Sequence, residues 1–198
     1  MSYKQLENLQ QALKKLPGIG SKTARRLAYY MVSRNTGHAM MLADAITSAI
    51  EANNPCPECN LLTEGELCEF CADPERNQSL LCVVQDAQDV MLIENTHEFK
   101  GRYFVLGGLL SPLHGIGPEE IHFPQLKKLV EELPLTEIIL ALNPSAEGDT
   151  TIHYIVEKFE TMPFKITRLA TGIPFGGDIE YTTPVTLTNA LFRRYEAD

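Results

Sequence analysis

No stretch of this 198-residue chain stays apolar long enough to cross a membrane, a task that needs about 20 residues. The opening residues MSYKQLENLQ lack a basic start followed by an apolar run, so no secretory signal is expected. The pattern G-x-x-x-x-G-K-[ST] is missing, which argues against a P-loop nucleotide site. Gly107-Gly108 and Gly176-Gly177 lack the spacing of a dinucleotide fingerprint. The five histidines are scattered, none beside a cysteine or acid at a telling distance, and no serine–histidine–acid set can be assigned. Internal repeats and low-complexity tracts are absent as well.

What is present is an ordinary globular composition, 44% hydrophobic and 22% charged, enough to bury a core. Five cysteines without a secretion signal point to a reducing compartment, with the cytoplasm as the expected location. The net charge of −9 conceals an asymmetry. Residues 1–35 hold seven basic groups and one acid, a local +6, and the remainder carries −15. Phosphates respond to the local field, so an acidic protein with a basic end remains compatible with nucleic acid. A solvated basic helix face gives the same count and stays open at this point.

Apolar residues at Leu6, Leu9 and Leu13 predict a helix over residues 2–15, stopped by Pro17 and Gly18. A second helix is expected from Ser21, with Ala24, Leu27, Ala28 and Met31 on one face. A third is expected from His38 to Ala52, with Met41, Leu42, Ala45, Ile46 and Ala49 as its stripe. After the cysteine-rich segment, short apolar runs at Leu80–Val84, Arg102–Leu106, Glu137–Leu142 and Lys165–Ala170 predict strands. Helical patterns at Gln125–Leu133 and Thr150–Phe159 alternate with them, which predicts βαβ units and a parallel sheet.

Cys56-x-x-Cys59 and Cys68-x-x-Cys71 stand eight residues apart. Each C-x-x-C turn aims two sulfurs at one point, and two turns complete a tetrahedron. Four thiolates leave no open coordination position, so a structural zinc ion is expected rather than a catalytic one. Disulfides or idle thiols are the competing readings. Cys82, inside an apolar run, reads as a buried small hydrophobe.

Leu16-Pro17-Gly18-Ile19-Gly20 joins two helices and is followed by Lys22, Arg25 and Arg26. This pattern looks like the helix-hairpin-helix of proteins that bind DNA without sequence preference. Gly18 and Gly20 permit a tight turn with no side chain between backbone and ligand. Helix N–H groups and nearby cations then meet phosphates, contacts that carry no sequence information. A plain glycine-capped helical hairpin is the alternative. One hairpin binds weakly, and useful affinity needs several copies.

Gln85 ends the first strand of the α/β region, and Asn143-Pro144-Ser145-Ala146-Glu147-Gly148-Asp149 follows a later one. This resembles the Toprim domain, whose enzymes place a glutamate and an Asp-x-Asp pair at these points to hold magnesium. The matching positions here are Gln85, Asn143 and Ser145, which cannot supply the negative charge a hard divalent cation needs. The fold is expected without the catalysis.

In order and length, these modules resemble the RecR family of bacterial recombination mediators across nearly the whole chain. The resemblance rests on Leu16–Gly20, the cysteine quartet with Ala72-Asp73-Pro74, and the segments 110–118, 143–148 and 172–177. It implies an α+β chain with four parts: a helix-hairpin-helix module (1–54), a four-cysteine zinc finger (55–74), a Toprim-like α/β domain with a parallel sheet (79–172), and a C-terminal segment (173–198). The last part carries a Walker-B-like label in the family and is implicated in oligomerisation. The resemblance further implies a ring-like homotetramer on DNA, gapped, double- or single-stranded, associated with the nucleoid. It implies work with RecO, and in many bacteria RecF, to load the RecA recombinase onto gapped DNA coated by single-strand binding protein. The family's DNA-contacting cations fall on Lys22 and Arg26. Two departures stand out, Gln85 for a glutamate and Thr183 for a frequent aspartate. A metal-dependent Toprim nuclease or primase, and an adaptor without DNA contact, are the rival readings.

Overall fold

A computed structural model describes residues 3–194. The chain divides into two compact units between Asn54 and Pro55. Ser2, the first residue of the expected N-terminal helix, and residues 195–198 of the C-terminal segment lie outside the described residues.

The first unit is helical: α1 (Lys4–Leu13), α2 (Ser21–Ser33) and α3 (Thr36–Ala52). In α2, Ala24 and Ala28 are fully buried, one turn apart. Their small side chains let α1 approach closely, and Leu6, Leu9 and Leu13 of α1 are half-buried. α3 begins two residues earlier than its pattern suggested, and among the described residues none of its side chains is buried. Met41, Leu42 and Ile46 of the expected stripe are exposed, as are Met40 and Ile50.

At the boundary a short ribbon forms, β1 (Asn54–Pro55) paired with β2 (Leu62–Thr63), and the second unit follows with one helical turn, α4 (Glu69–Ala72). It continues as β3 (Asn77–Val84), α5 (Ala87–Glu94), β4 (Gly101–Val105), α6 (Phe123–Glu132), β5 (Glu137–Ala141), α7 (Ala146–Lys158) and β6 (Lys165–Arg168). The strands form a four-stranded parallel sheet in the order β4-β3-β5-β6. Each connection carries a helix, as the alternating pattern requires. A last helix, α8 (Pro184–Phe192), follows a loop. Thr183 caps α8 by accepting from Thr186 N–H at 3.2 Å.

Period-two alternation in β3 builds two cores. Leu81 and Val83 face one side and pack with Leu126, Leu129 and Val130 of α6 and Ile152 and Ile155 of α7. Each fully buried aliphatic side chain there contributes about 1.5–3 kcal/mol. Cys82 and Val84 face the other side with Val90 of α5, Tyr103 and Val105 of β4, and the cysteine segment. The cysteine segment therefore covers one face of the sheet together with α5.

Candidate functional site

Three places stand out by residue type: the cysteine quartet, the glycine turn and the strand ends of the sheet.

The quartet is built by local backbone turns. Cys56 N–H donates to Leu61 O at 2.8 Å and Asn60 N–H to Cys56 O at 2.9 Å, closing the first C-x-x-C turn. Asn60 takes φ of 63°, a left-handed value that asparagine tolerates better than most residues. The second turn is the start of α4, with Cys71 and Ala72 N–H groups donating to Cys68 O at 3.1 and 2.9 Å. The result brings all four sulfurs within 4.8 Å of one another. Cys56, Cys59 and Cys68 are buried and Cys71 is partly buried. Cys59 Sγ and Cys68 Sγ lie 3.4 Å apart, and Cys68 N–H points at Cys56 Sγ at 3.5 Å. Hydrogen bonding to Cys59 holds the Cys68 thiol well below its ordinary value, and the same contact, with burial, pushes Cys59 up. Crowded sulfurs of this kind share protons when bare and lose them to a metal. This donor set can hold a tetrahedral metal ion. Cys82 stands apart from it, 2% exposed, its thiol pushed up to about 12 by burial and then by Asp89.

The segment is tied to the sheet. Val105 N–H donates to Cys59 O at 2.8 Å, and Asn60 Nδ2 donates to Val105 O at 3.3 Å. Arg102, on β4, pairs with Glu58 between the first two cysteines and donates from Nη1 to Gln78 Oε1 at 2.6 Å. Nearby, Arg76 donates to Glu94 at 2.6 Å and to Gly101 O at 2.9 Å, with its guanidinium 4.6 Å from the Phe70 ring centroid. Sequence reasoning missed both arginines, because their partners lie far away along the chain.

At the glycine turn, α1 ends in two tight turns: Lys15 N–H donates to Ala12 O at 3.1 Å and Leu16 N–H to Leu13 O at 3.2 Å. Gly18 has φ of 75°, which requires glycine, and Ile19 is half-buried beneath the turn. Gly20 precedes the first residue of α2, and no side chain caps that end. A Cβ at Gly18 or Gly20 would meet nothing within 4 Å, so the turn lies open. Lys22, Arg25 and Arg26 are exposed and line one shallow concavity with Tyr29. Lys14 joins Lys22 and Arg25 along an adjoining groove. Among the described residues, none of these cations is engaged in an ion pair. The α2 N-terminus adds its positive dipole end to the same place.

At the strand ends, the order of the sheet changes direction between β3 and β5, where α/β proteins place ligands. Gln85 follows β3, Asn143 follows β5, and Asn143 Nδ2 donates to Gln85 Oε1 at 3.0 Å. The two amides satisfy each other. Asp149 pairs with Arg168 at 3.1 Å, Ser145 caps α7 by accepting from Gly148 N–H at 3.0 Å, and Asp89 closes a capping box with Asp86 on α5. Each polar group that stands where a metal ligand would be expected thus has a local task. Among the described residues, the cysteine quartet is the grouping that offers a metal three or more donors.

Comparison with known proteins places names on two of these parts. Residues 79–170 match the Toprim domain family, and residues 6–50 match the family described as RecR, helix-hairpin-helix. Recombination protein RecR of Anaeromyxobacter sp. (strain Fw109-5) is 45% identical over 191 residues, 96% of each chain. Recombination protein RecR of Halorhodospira halophila is 45% identical over 189 residues, 96% of this chain and 94% of its own. Recombination protein RecR of Psychrobacter sp. (strain PRwf-1) is 42% identical over 194 residues, 98% of this chain and all of its own.

Proposed function

Since the chain belongs to the RecR family of recombination proteins, we propose that it is a non-enzymatic mediator of DNA repair that grips the phosphodiester backbone through its N-terminal hairpin. The observation that carries this reading is the exposed row Lys22, Arg25 and Arg26 beside an open glycine turn, with no acid paired to it among the described residues. Gly18 and Gly20 keep the backbone accessible, and the cations reach phosphates on either side. The contacts are to sugar–phosphate, so gapped, double-stranded and single-stranded DNA are all substrates for binding.

The parts divide the work as four modules: residues 1–54 for DNA, 55–74 for zinc, 79–172 as the Toprim-like scaffold, and 173–198 for assembly. Cys56, Cys59, Cys68 and Cys71 hold the zinc ion, which supplies fold to a segment too short for a core of its own. Zinc suits the set because four thiolates in a tetrahedron favour a borderline-soft d10 ion over hard cations. The amide pair at Gln85 and Asn143 supports a scaffold role for the sheet, since magnesium chemistry needs carboxylates there.

A single hairpin is a weak ligand, and a ring-like homotetramer places several on one duplex, multiplying effective affinity. The exposed apolar side chains of the C-terminal segment, among them Phe175, Tyr181 and Phe192, are suited to contact between copies. In the cytoplasm, on the nucleoid, the assembly works with RecO, and with RecF where that protein is present. Together they load RecA onto gapped DNA coated by single-strand binding protein. Sedimentation velocity of the protein alone, with gapped DNA, and with RecO tests this. A tetramer that moves with both partners is expected. A species that ignores DNA and RecO alike contradicts the reading.

A further inference from the structure

Lys22, Arg26 and Tyr30 follow one another at intervals of four residues along α2, and Arg34, its C-cap residue, continues the series. Residues four apart on a helix are neighbours on one face. Each interval advances about 6 Å along the axis, so Tyr30 stands midway between two arginine positions. All four residues are exposed, Tyr30 by 50%. Arg26, Tyr29, Tyr30, Ser33 and Arg34 line a concavity that adjoins the one beside the glycine turn, with Arg26 and Tyr29 common to both. No acid occurs between Glu7 and Asp44, so no nearby acid in the sequence offsets the charge of this face.

Tyr30 is held in place yet uncovered. Asn35 Nδ2 donates to its hydroxyl oxygen at 3.2 Å, which ties down the tip of the ring. Among the described residues no cation lies over that ring and no second aromatic pairs with it. A ring already restrained loses little freedom when a partner covers it. Set between two cations, it fits a flat partner that carries anions on either side, which describes a nucleobase on its phosphate backbone. In a duplex, neighbouring pairs cover the base faces. In a single strand those faces are open to aromatic side chains.

We propose that Tyr30 is a base-stacking position for single-stranded DNA, with Arg26 and Arg34 meeting the phosphates on either side, and that it extends the hairpin's grip onto an unpaired strand. The inference rests on the reading of the hairpin as a DNA grip. Phosphate contacts treat paired and unpaired strands alike. Tyr30 adds a contact that only an unpaired base can make. Because every base has a π-face, that contact brings no sequence preference.

The test uses the full chain and two fluorescent probes, an oligothymidylate and a blunt duplex, followed by anisotropy. Wild type, Tyr30→Ala, Tyr30→Leu and Tyr30→Phe are compared. Tyr30→Ala and Tyr30→Leu are expected to weaken single-strand binding by about fivefold or more, since Leu keeps the bulk but has no π-face. Both should bind duplex within about twofold of wild type, and Tyr30→Phe should match wild type on both probes to the same margin. Irradiating wild type with a strand that carries 5-iodouracil should join the strand to Tyr30, located by peptide mass mapping. Unchanged single-strand affinity in Tyr30→Ala overturns the proposal, as does a Tyr30→Leu variant that binds like wild type. Equal losses on the two probes also overturn it. If sedimentation of Tyr30→Ala shows a smaller assembly at the same time, the ring is a contact between copies instead. Should Tyr30→Ala fail to fold, the cross-link in wild type and the contrast of Tyr30→Leu with Tyr30→Phe decide the matter. Wild type that binds neither probe overturns the hairpin reading itself.

Discussion

Glu94 sits where burial alone would raise its carboxyl, yet hydrogen bonds from Arg76 and Tyr103 leave it below the ordinary value of 4.5. Arg76 in turn is held over Phe70 and Tyr103, so one acid closes a network that joins α4, α5 and β4. A depressed folded-state value means the stabilisation is complete above the unfolded value and fades as pH falls through the folded one. Glu94→Gln should therefore cost about 1–3 kcal/mol at neutral pH, by leaving Arg76 buried without its partner. The gap between the variant and wild type should shrink as pH falls below 4.5 and through the lower folded-state value, where the wild-type carboxyl also becomes neutral. Urea unfolding at a series of pH values measures both. A penalty constant from pH 7 to pH 3 contradicts this account of the network. Cys82 was legible at this scale from its apolar neighbours, and it is buried as expected. Arg76, just before β3, and Arg102, in β4, were not legible, because a charged residue announces neither its burial nor a partner 18 or 44 positions away.

Among the elements, those with a strong local pattern matched their sequence signals. The four parallel strands and the helices of the hairpin are short-range features, set by period and by Pro17 and Gly18. Contacts that depend on distant segments were hidden. The cysteine segment covers a face of the sheet, and Gln85 meets Asn143 across two strands. Asp89 serves a capping box with Asp86, a role visible only once the start of α5 is known. For α3 the helix was read correctly, but its expected apolar stripe is exposed, with Met41, Leu42 and Ile46 open to solvent among the described residues. The turn before α2 offers a test at this scale. Gly18→Ala forces φ of 75° on a residue with a Cβ, at about 1–2 kcal/mol. Because a Cβ there meets nothing within 4 Å, the strain is conformational rather than steric. Both a lower Tm and weaker DNA binding are expected for Gly18→Ala. Gly20→Ala, whose backbone is extended at ψ of 169°, should keep its Tm and lose DNA affinity alone. A Gly20→Ala variant that binds DNA as tightly as wild type would show that backbone access at the turn is unimportant.

For the molecule as a whole, charge is the property that sequence conveyed best and that a single total would have misstated. A chain with a net charge of −9 presents a +6 segment in residues 1–35, and Lys22, Arg25 and Arg26 are exposed there. Sequence-independent binding of this kind is driven by release of counterions from the phosphates. It follows that affinity falls steeply with salt, and that each cation removed from the interface makes the dependence shallower by about one unit of log–log slope. The most direct measurement is the DNA association constant as a function of salt for wild type and for Lys22→Ala combined with Arg26→Ala. The account predicts affinity lower by an order of magnitude or more in the double variant, together with a shallower salt slope. Equal affinity and equal slope in the two proteins would contradict it.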